Sequence, residues 1–417
     1  MFRLAFIVQL HFFYPLYRGF GKHIYHYLLF ARMDVYDDRF YGFTRRFMIS
    51  VGLWPYQNPN YRKAIWVFVS MVYIQGIIFQ YMTFITRQYN LKLFIELMSF
   101  NTLLFFFIVK YNTIYMNFKN VKFLLEQINS DFIALTDTQE IKIIQTYASK
   151  GRMYTVYSGM FVYLGVLTFL LTLFVPDILD FVKPLDEPRL RQLPTPIECF
   201  IDQQKYFYVI VSDICVIGIV GSTTLMASET MFLIVIRHAC GLFTIASYRI
   251  NHAFDDYKNE SVIKAKLIRA IRIHGRSLEF IKFVNSCFSL YYLLVAGIGV
   301  LSLSVNLLRL FQAIESKITV DIYVSALYVC THFSYIFWVN YFGQDLSDHS
   351  EKIFKQTYNT RWYKAPLRTQ KLLFIILQRS SKTCTVDLFS SLQNASMEGF
   401  ASIVSLSVSY FTVLYSM

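Results

Sequence analysis

The chain alternates between long apolar runs and shorter stretches that hold most of its charges. A helix that crosses a bilayer needs about 20 mostly apolar residues. Seven runs meet that requirement: Ala64–Thr86, Lys92–Tyr115, Met153–Val175, Tyr206–Ile236, Phe283–Leu308, Ile318–Asn340 and Met397–Met417. The expected fold class is all-α: a polytopic membrane protein with seven transmembrane helices, because a span in lipid must satisfy its own backbone. The fourth run is long, so one end of it is expected to pass beyond the bilayer. No pair of halves shows inverted or parallel repetition, which argues against the common transporter folds.

Two connecting segments have a helical pattern of their own. Val262–Phe283 places Ile263, Leu267, Ala270 and Ile271 on one face and Lys264, Arg272 and Arg276 elsewhere. Leu372–Leu377 is a six-residue apolar run, too short to span. Two readings stay open. Such helices lie on a leaflet where basic residues meet anionic lipid, or they prolong the spans into a bundle in water where subunits meet.

The last run carries the most chemistry. Met397–Met417 has 21 residues, about 31 Å of helix, which just crosses the hydrocarbon. Ser402, Ser405, Ser409, Thr412 and Ser416 recur at spacings of 3, 4, 3 and 4 and form one hydroxyl stripe, with Leu406, Val413 and Met417 beside it. A hydroxyl stripe ending in apolar side chains suits a water-filled pore closed by dewetting. One helix cannot enclose a pore, so this reading needs several subunits around an axis. The competing reading is ordinary packing, in which small residues let membrane helices approach closely.

Composition narrows the class. Of 417 residues, 55% are hydrophobic and only 16% charged, against roughly 25% charged in soluble domains. Mean hydropathy is +0.40. A water-soluble enzyme and a disordered chain are both excluded on this ground. The net charge of +13 reads as loop chemistry at a membrane face, so no nucleic-acid partner is expected. The N-terminal segment and the second, fourth and sixth loops hold 9, 5, 9 and 8 Lys and Arg, 31 together; the remaining loops and the C-terminus hold 8. The basic set lies inside, which puts the N-terminus in the cytoplasm and the C-terminus outside. A G-protein-coupled receptor has the reverse orientation, and the DRY and NPxxY motifs of its commonest class are missing.

Other signals are sparse. Cys199, Cys215, Cys240, Cys287, Cys330 and Cys384 are scattered singly, so each is expected to be a small buried hydrophobe rather than a metal ligand or a disulfide partner. No HExxH, phosphate-binding Gly loop or GxSxG elbow occurs, and neither an enzyme nor a cofactor is expected. The sequons at Asn259 and Asn394 fall on the predicted cytoplasmic side. Residues 1–32 form an N-terminal extension of unknown role. Their Leu4–Phe13 stretch resembles a signal-peptide core but is interrupted by His11 and followed by Pro15 and Arg18. Residues 33–63 read as a cytoplasmic segment and 64–417 as the seven-helix domain.

Three sets of residues resemble one family, the insect odorant receptors. Gly52-Leu53-Trp54-Pro55-Tyr56-Gln57 resembles the opening motif of many members, notably those of ants, bees and wasps. Asn359-Thr360-Arg361-Trp362-Tyr363, Pro366, Leu372-Leu373 and Gln378-Arg379-Ser380 resemble the segment before the last helix. Met397-Glu398-Gly399-Phe400 and Ser409-Tyr410-Phe411-Thr412 resemble the C-terminal signature. The resemblance covers roughly residues 33 to 417. It implies an odour-gated, non-selective cation channel in the plasma membrane of olfactory sensory-neuron dendrites, assembled as a heterotetramer with odorant co-receptor subunits. It also implies cytoplasmic anchor helices at about 237–282 and 345–396 and a pore helix at 397–417. The family's gate positions fall on Val413 and Met417, with Ser409, Leu406 and Ser402 further along the pore. The co-receptor's long loop between spans four and five is absent here, as in an odorant-tuning subunit.

Family architecture implies a pocket for a small volatile odorant in the outer halves of spans two, three, four and six. The candidates there are Phe100, Phe169, Thr172, Ile210, Ile214, Tyr323 and Leu327. Ile210/Ile214 and Tyr323/Leu327 are i,i+4 pairs, each on one face, and Tyr323 offers a hydrogen bond in an apolar wall. Glu96 and Asp213 are ionisable groups inside spans, expected to pair with a neighbouring span or face water rather than an odorant. Glu398, opening the last helix, either attracts cations to a pore or complements a helix N-terminus. Three functions remain open: an odorant-gated channel subunit, a gustatory-type channel subunit, and a metabotropic seven-helix receptor. The gustatory signature ends in Thr-Tyr and then Gln-Phe, and Gln-Phe is lacking here.

Overall fold

The computed structural model describes residues 38–416 except 87, 89, 184–188, 190, 192, 194–195, 255–259, 318, 361 and 388–393. The 1–32 extension, Asn259 and the predicted gate residue Met417 lie outside the described residues. Among the described residues, α-helices follow one another along the chain: α1 Asp38–Ser50, α2 Pro59–Thr86, α3 Leu91–Met116, α4 Phe118–Ala134, α5 Thr138–Leu173, α6 Val175–Val182, α7 Phe207–Asn251, α8 Glu260–Ser316, α9 Thr319–Asn359, α10 Leu367–Ser380 and α11 Met397–Ser416. Seven of them are long and apolar enough to cross a membrane, and each coincides with one of the seven predicted runs over the described residues, to within two residues where a run reaches past its helix. The protein is an all-helical, multi-pass membrane protein.

Local chemistry starts and stops the helices. Asn90 caps α3 by accepting from the Leu93 N–H at 2.6 Å, and Asp137 caps α5 by accepting from Gln139 at 2.7 Å. α1 ends in a Schellman motif: Leu53 N–H donates to the Met48 carbonyl at 2.8 Å and Gly52 N–H to that of Ile49 at 3.2 Å. Gly52 takes the left-handed turn at φ +72°, and a Cβ there would lie 2.9 Å from the Ile65 Cβ. The accompanying apolar contact is met by Met48 and Leu53, both fully buried. Part of the Gly52–Gln57 motif is thus a helix stop.

The helices exceed the predicted spans at one end of the bundle, here termed the basic end. α7 runs on to Asn251, and α8 is one helix of 57 residues, about 85 Å long against a hydrocarbon core of about 30 Å. Val262–Phe283 is the first part of α8, so it prolongs a span instead of lying on a leaflet. Interhelical ion pairs tie the extensions together. Arg249 holds Glu140 through two bonds of 2.6 and 2.7 Å, joining α7 to α5. Arg237 pairs with Asp345 between α7 and α9, and Arg276 with Asp131 between α8 and α4. His274 is buried in this region; burial first, and Arg379 second, lower its pKa to about 4. Opposite the packed faces, Met160, Leu164, Leu167 and Leu171 form an exposed stripe on α5, as a lipid-facing helix requires.

The cysteines correct one expectation. Only Cys240 is buried; Cys330 is exposed on a spanning helix, and the other four are half-buried. A thiol facing lipid is as dry as one in a core, so apolar character did not require burial in protein.

Gly343 fixes how the last helix is approached. It lies on α9, and a Cβ there would overlap the Cβ and carbonyl oxygen of Ala395, just before α11. The clash involves backbone, so it cannot be relieved by a rotamer change. Gly343→Ala is expected to cost about 1–3 kcal/mol. It should lower the melting temperature of the purified chain by a few degrees; an unchanged melting temperature would show that the 394–399 segment moves freely.

Candidate functional site

The half of the bundle remote from the basic end holds a tight aromatic and apolar cluster. Ile210 and Ile214 of α7 are buried there with Leu173, Phe207 and Val211, and Phe169 packs against them. Phe169 stacks on Tyr328 of α9, with ring centroids 6.0 Å apart. Three predicted pocket residues on two helices are therefore brought together. Thr172 is on the same helix as Phe169, but its hydroxyl donates to the Phe169 carbonyl at 2.6 Å. Phe100 is buried in the main core. Leu327 is half-buried. Tyr323 is 43% exposed, whereas Tyr328, about 140° further round α9, is buried.

Beside the cluster runs a chain of buried hydrogen bonds that sequence reasoning missed. Arg309 donates to the Ser99 hydroxyl at 3.1 Å, and Ser99 donates to Asn306 Oδ1 at 2.7 Å. Thr102 donates to Ser302 at 3.0 Å. His332 Nδ1 lies 2.8 Å from the Tyr328 carbonyl, so it carries the proton, and Nε2 accepts from Ser302 at 2.7 Å. The Arg309 guanidinium also sits 5.8 Å from the centre of the Tyr328 ring. The signal was present in the sequence: Ser302, Asn306 and Arg309 stand at spacings of 4 and 3, a polar stripe inside an apolar run.

Among the described residues of this half, Gln80, Asn101 and Ser325 are buried side chains with a polar atom that lacks a partner. Gln80 of α2 is 1% exposed, and neither its amide nitrogen nor its amide oxygen is hydrogen-bonded. Gly76, one turn earlier, packs between Leu104 and Ile217; the antiparallel register then sets Gln80 level with Phe100 and Ile214. Ser325, one turn from Tyr328, is fully buried with an unpartnered hydroxyl. The predicted intramembrane acids are both engaged. Gln75 of α2 donates to Asp213 at 2.9 Å, and Glu96 lies 3.9 Å from Lys92 on its own helix.

α11 has two unlike faces. Gly399, Ile403 and Ser407, spaced by four, are its buried positions. Ile403 packs with Val300, Leu303 and Ile336, and Ser304 of α8 donates to the Ser407 carbonyl at 2.9 Å. Ser402, Ser405, Ser409, Thr412 and Ser416, with Leu406 and Val413, are all exposed. Ser402, Ser409, Thr412 and Ser416 donate their protons back to the helix, at 2.7–3.0 Å. Their oxygens therefore present lone pairs outward. The start of α11 is clasped by α9: Asn340 Oδ1 accepts from Ser396 N–H at 3.2 Å and Gln344 Oε1 from Met397 N–H at 3.3 Å. α9 thus carries Tyr328 and His332 at one level and the clasp at the other.

Cys240, Asp345 and His349 have ligand-type atoms within 4.8 Å of one another. Asp345 is held by Arg237, and His349 Nε2 lies 2.6 Å from the Tyr147 hydroxyl. That arrangement is a polar network joining α5, α7 and α9.

The comparisons with known proteins agree with this architecture. The chain is similar to Odorant receptor 67c of Drosophila melanogaster, 23% identical over 209 residues, 50% of each chain. It is similar to Odorant receptor 22c of the same species, 24% identical over 200 residues, 45% of this chain and 48% of the other. The chain spans about half the length of these curated relatives. Among solved structures, it resembles the insect olfactory receptor OR5 from Machilis hrabei in complex with eugenol, with a TM-score of 0.73 and 15% identity, covering 91% of this chain and 100% of that one. A second structure of the Machilis hrabei receptor OR5 gives a TM-score of 0.70 with 14% identity. The profile of the family described as 7tm Odorant receptor matches residues 90–408, from the cap of α3 into α11, and the chain belongs to that family.

Proposed function

We propose that this chain is the odorant-binding subunit of an odour-gated, non-selective cation channel completed by odorant co-receptor subunits. The observation that carries the reading is the uncovered face of α11. A 20-residue apolar helix seats one edge on its own chain and leaves a stripe of hydroxyls that no other helix covers. Several copies around an axis would line a pore with oxygen lone pairs, which suit hydrated cations better than anions. Val413 and Met417 form the apolar constriction, Leu406 a deeper one, and Ser402 and Ser409 the wetted wall.

The odorant binds in the half remote from the basic end, among Phe100, Phe169, Thr172, Ile210, Ile214, Leu327 and Tyr328. An occupant that displaces Tyr328 shifts α9, and α9 holds the start of α11 through Asn340 and Gln344. The unpartnered polar atoms of Gln80 and Ser325 support an oxygenated odorant as the ligand class, since an unmet buried polar group costs about 1–3 kcal/mol. Gln80→Leu is expected to weaken responses to alcohols and acids more than to hydrocarbons of the same length, measured as dose–response curves. Equal shifts for both classes would remove Gln80 from recognition.

The basic end faces the cytoplasm of a sensory dendrite, by the distribution of Lys and Arg. An epitope after Met417 should be labelled on intact cells and one at Met1 only after permeabilisation; the reverse would overturn the orientation. Expressed alone, the chain should give little odour-evoked current, and expressed with the co-receptor, a robust one. Robust current from the chain alone, in cells lacking the co-receptor, would contradict the partnership.

A further inference from the structure

Three side chains with metal-ligand chemistry converge where α7 meets α9 at the basic end. Cys240 comes from α7, and Asp345 and His349 stand one turn apart on α9. One ligand-type atom from each lies within 4.8 Å of the others, and among the described residues no other His, Cys, Asp or Glu side chains gather so closely in threes. Cys240 Sγ is 3.8 Å from Asp345 Oδ2, and His349 Nδ1 is 3.5 Å from Asp345 Oδ1. The ligands of a tetrahedral zinc ion stand roughly 3.3–3.6 Å apart, given bonds of about 2.0 Å to nitrogen or oxygen and about 2.3 Å to sulfur. The three side chains are close to that spacing, so side-chain rotation would close the set.

The surroundings suit a second cation beside Arg237. That guanidinium pairs with Asp345, and it also lies 5.4 Å from the ring centres of Tyr147 and Tyr154, whose faces attract it. A carboxylate has two oxygens, so Asp345 keeps Arg237 on one and offers the other. A Cys240 thiolate and the Asp345 carboxylate together match the two charges of a divalent ion. Each ring nitrogen of His349 has a partner at 2.6 Å, Nδ1 the Asp345 carbonyl and Nε2 the Tyr147 hydroxyl. Whichever nitrogen ligates, the other keeps its hydrogen bond and fixes the ring, as the outer partners of metal-bound histidines do. Cys240 is a free thiol, fully buried. The Asp345 side chain is 23% exposed, which gives an ion a way in and leaves a fourth position to water.

We propose that Cys240, Asp345 and His349 bind a zinc ion. A thiolate, an imidazole and a carboxylate form a donor set that zinc takes in tetrahedral geometry. On binding, the thiol gives its proton to water and the sulfur bonds the metal. Asp345 directly follows Gln344, which holds the Met397 N–H at the start of α11. The ion would therefore lock that part of α9 to α7. The site does not depend on channel activity, so its test stands apart from that of the channel.

The test titrates Co²⁺, a coloured stand-in for Zn²⁺, into the full-length chain purified in mild detergent and freed of metal with a chelator. The wild type should develop thiolate-to-cobalt charge-transfer absorption that saturates at one equivalent, and Zn²⁺, the tighter binder of the two, should abolish it. Cys240→Ser should lose that absorption. His349→Gln should weaken Co²⁺ binding by more than the roughly 10- to 100-fold that loss of an outer partner costs. Cys384→Ser, a half-buried cysteine elsewhere at the basic end, should titrate as the wild type does. If Cys240→Ser does not fold, His349→Gln against Cys384→Ser carries the test. A wild type without charge-transfer absorption would overturn the proposal and leave the three side chains as a structural network. So would absorption unchanged in Cys240→Ser, affinity unchanged in His349→Gln, or a loss in Cys384→Ser equal to that in Cys240→Ser.

Discussion

Glu229→Leu is expected to abolish delivery of the chain to the cell surface. Lys110 of α3 and Glu229 of α7 form an ion pair at 2.6 Å between two spanning helices, with the Lys110 side chain 10% exposed. The ammonium also faces the rings of Tyr335 and Phe106, at 5.2 and 5.9 Å. Removing the carboxylate leaves a cation in apolar surroundings, and breaking a buried pair on one side costs about 3–5 kcal/mol. That is a large share of the roughly 5–15 kcal/mol by which folded proteins are stable. Replacing both partners with apolar residues of similar volume is often neutral, so Lys110→Met with Glu229→Leu should recover most of the loss. Surface labelling and thermal unfolding in detergent measure both outcomes. A surface level like the wild type in Glu229→Leu, or a double variant as impaired as the single, would show that the pair does not hold α3 to α7.

Val413→Ser is expected to raise basal current or alter cation permeability while surface expression is retained. The side chain is 54% exposed on the chain alone, so its substitution disturbs no core. In the proposed closed pore it would meet its counterparts in a dry ring, where a hydroxyl costs about 1–3 kcal/mol. A penalty of that size on the closed state changes the open-to-closed ratio roughly 5- to 150-fold. On the proposed reading, co-receptor subunits supply the rest of the ring and dilute the effect. Leu406→Ser, two turns deeper, should change basal current less. Wild-type basal current and permeability in a surface-expressed Val413→Ser would mean that α11 packs at this position and does not gate.

The seven spans were legible because run length alone decides them. The fate of their basic ends was not. A helix lying on a leaflet and a helix in a bundle share one 3.6-residue pattern, and the difference lies in partners remote in sequence. Arg237 meets Asp345 across 108 positions, a pairing that no local pattern announces. The facing of residues within spans was legible in part. Ile210 and Ile214, proposed through the family architecture, were set on one face by their i,i+4 spacing and do share a buried cluster. On α9, apolar on most sides, Tyr323 was named and Tyr328 was not, because a helix in lipid has no polar face to mark the outside. The hydroxyl stripe of α11 could be read because it breaks an apolar background. Its buried edge at Gly399, Ile403 and Ser407 could not, because small residues pack in lipid as readily as they line water.

The central claim is that a ligand acting on this chain opens a pore in the same assembly. The most direct measurement records excised patches from cells expressing the chain with the co-receptor, during pulses from an odorant panel and without GTP. The account predicts, for at least one odorant, a current that rises within milliseconds and reverses between the potassium and sodium equilibrium potentials. It also predicts that Val413→Ser changes the permeability of that current. A response that needs GTP, or one whose permeability is indifferent to every substitution on the exposed face of α11, would contradict it.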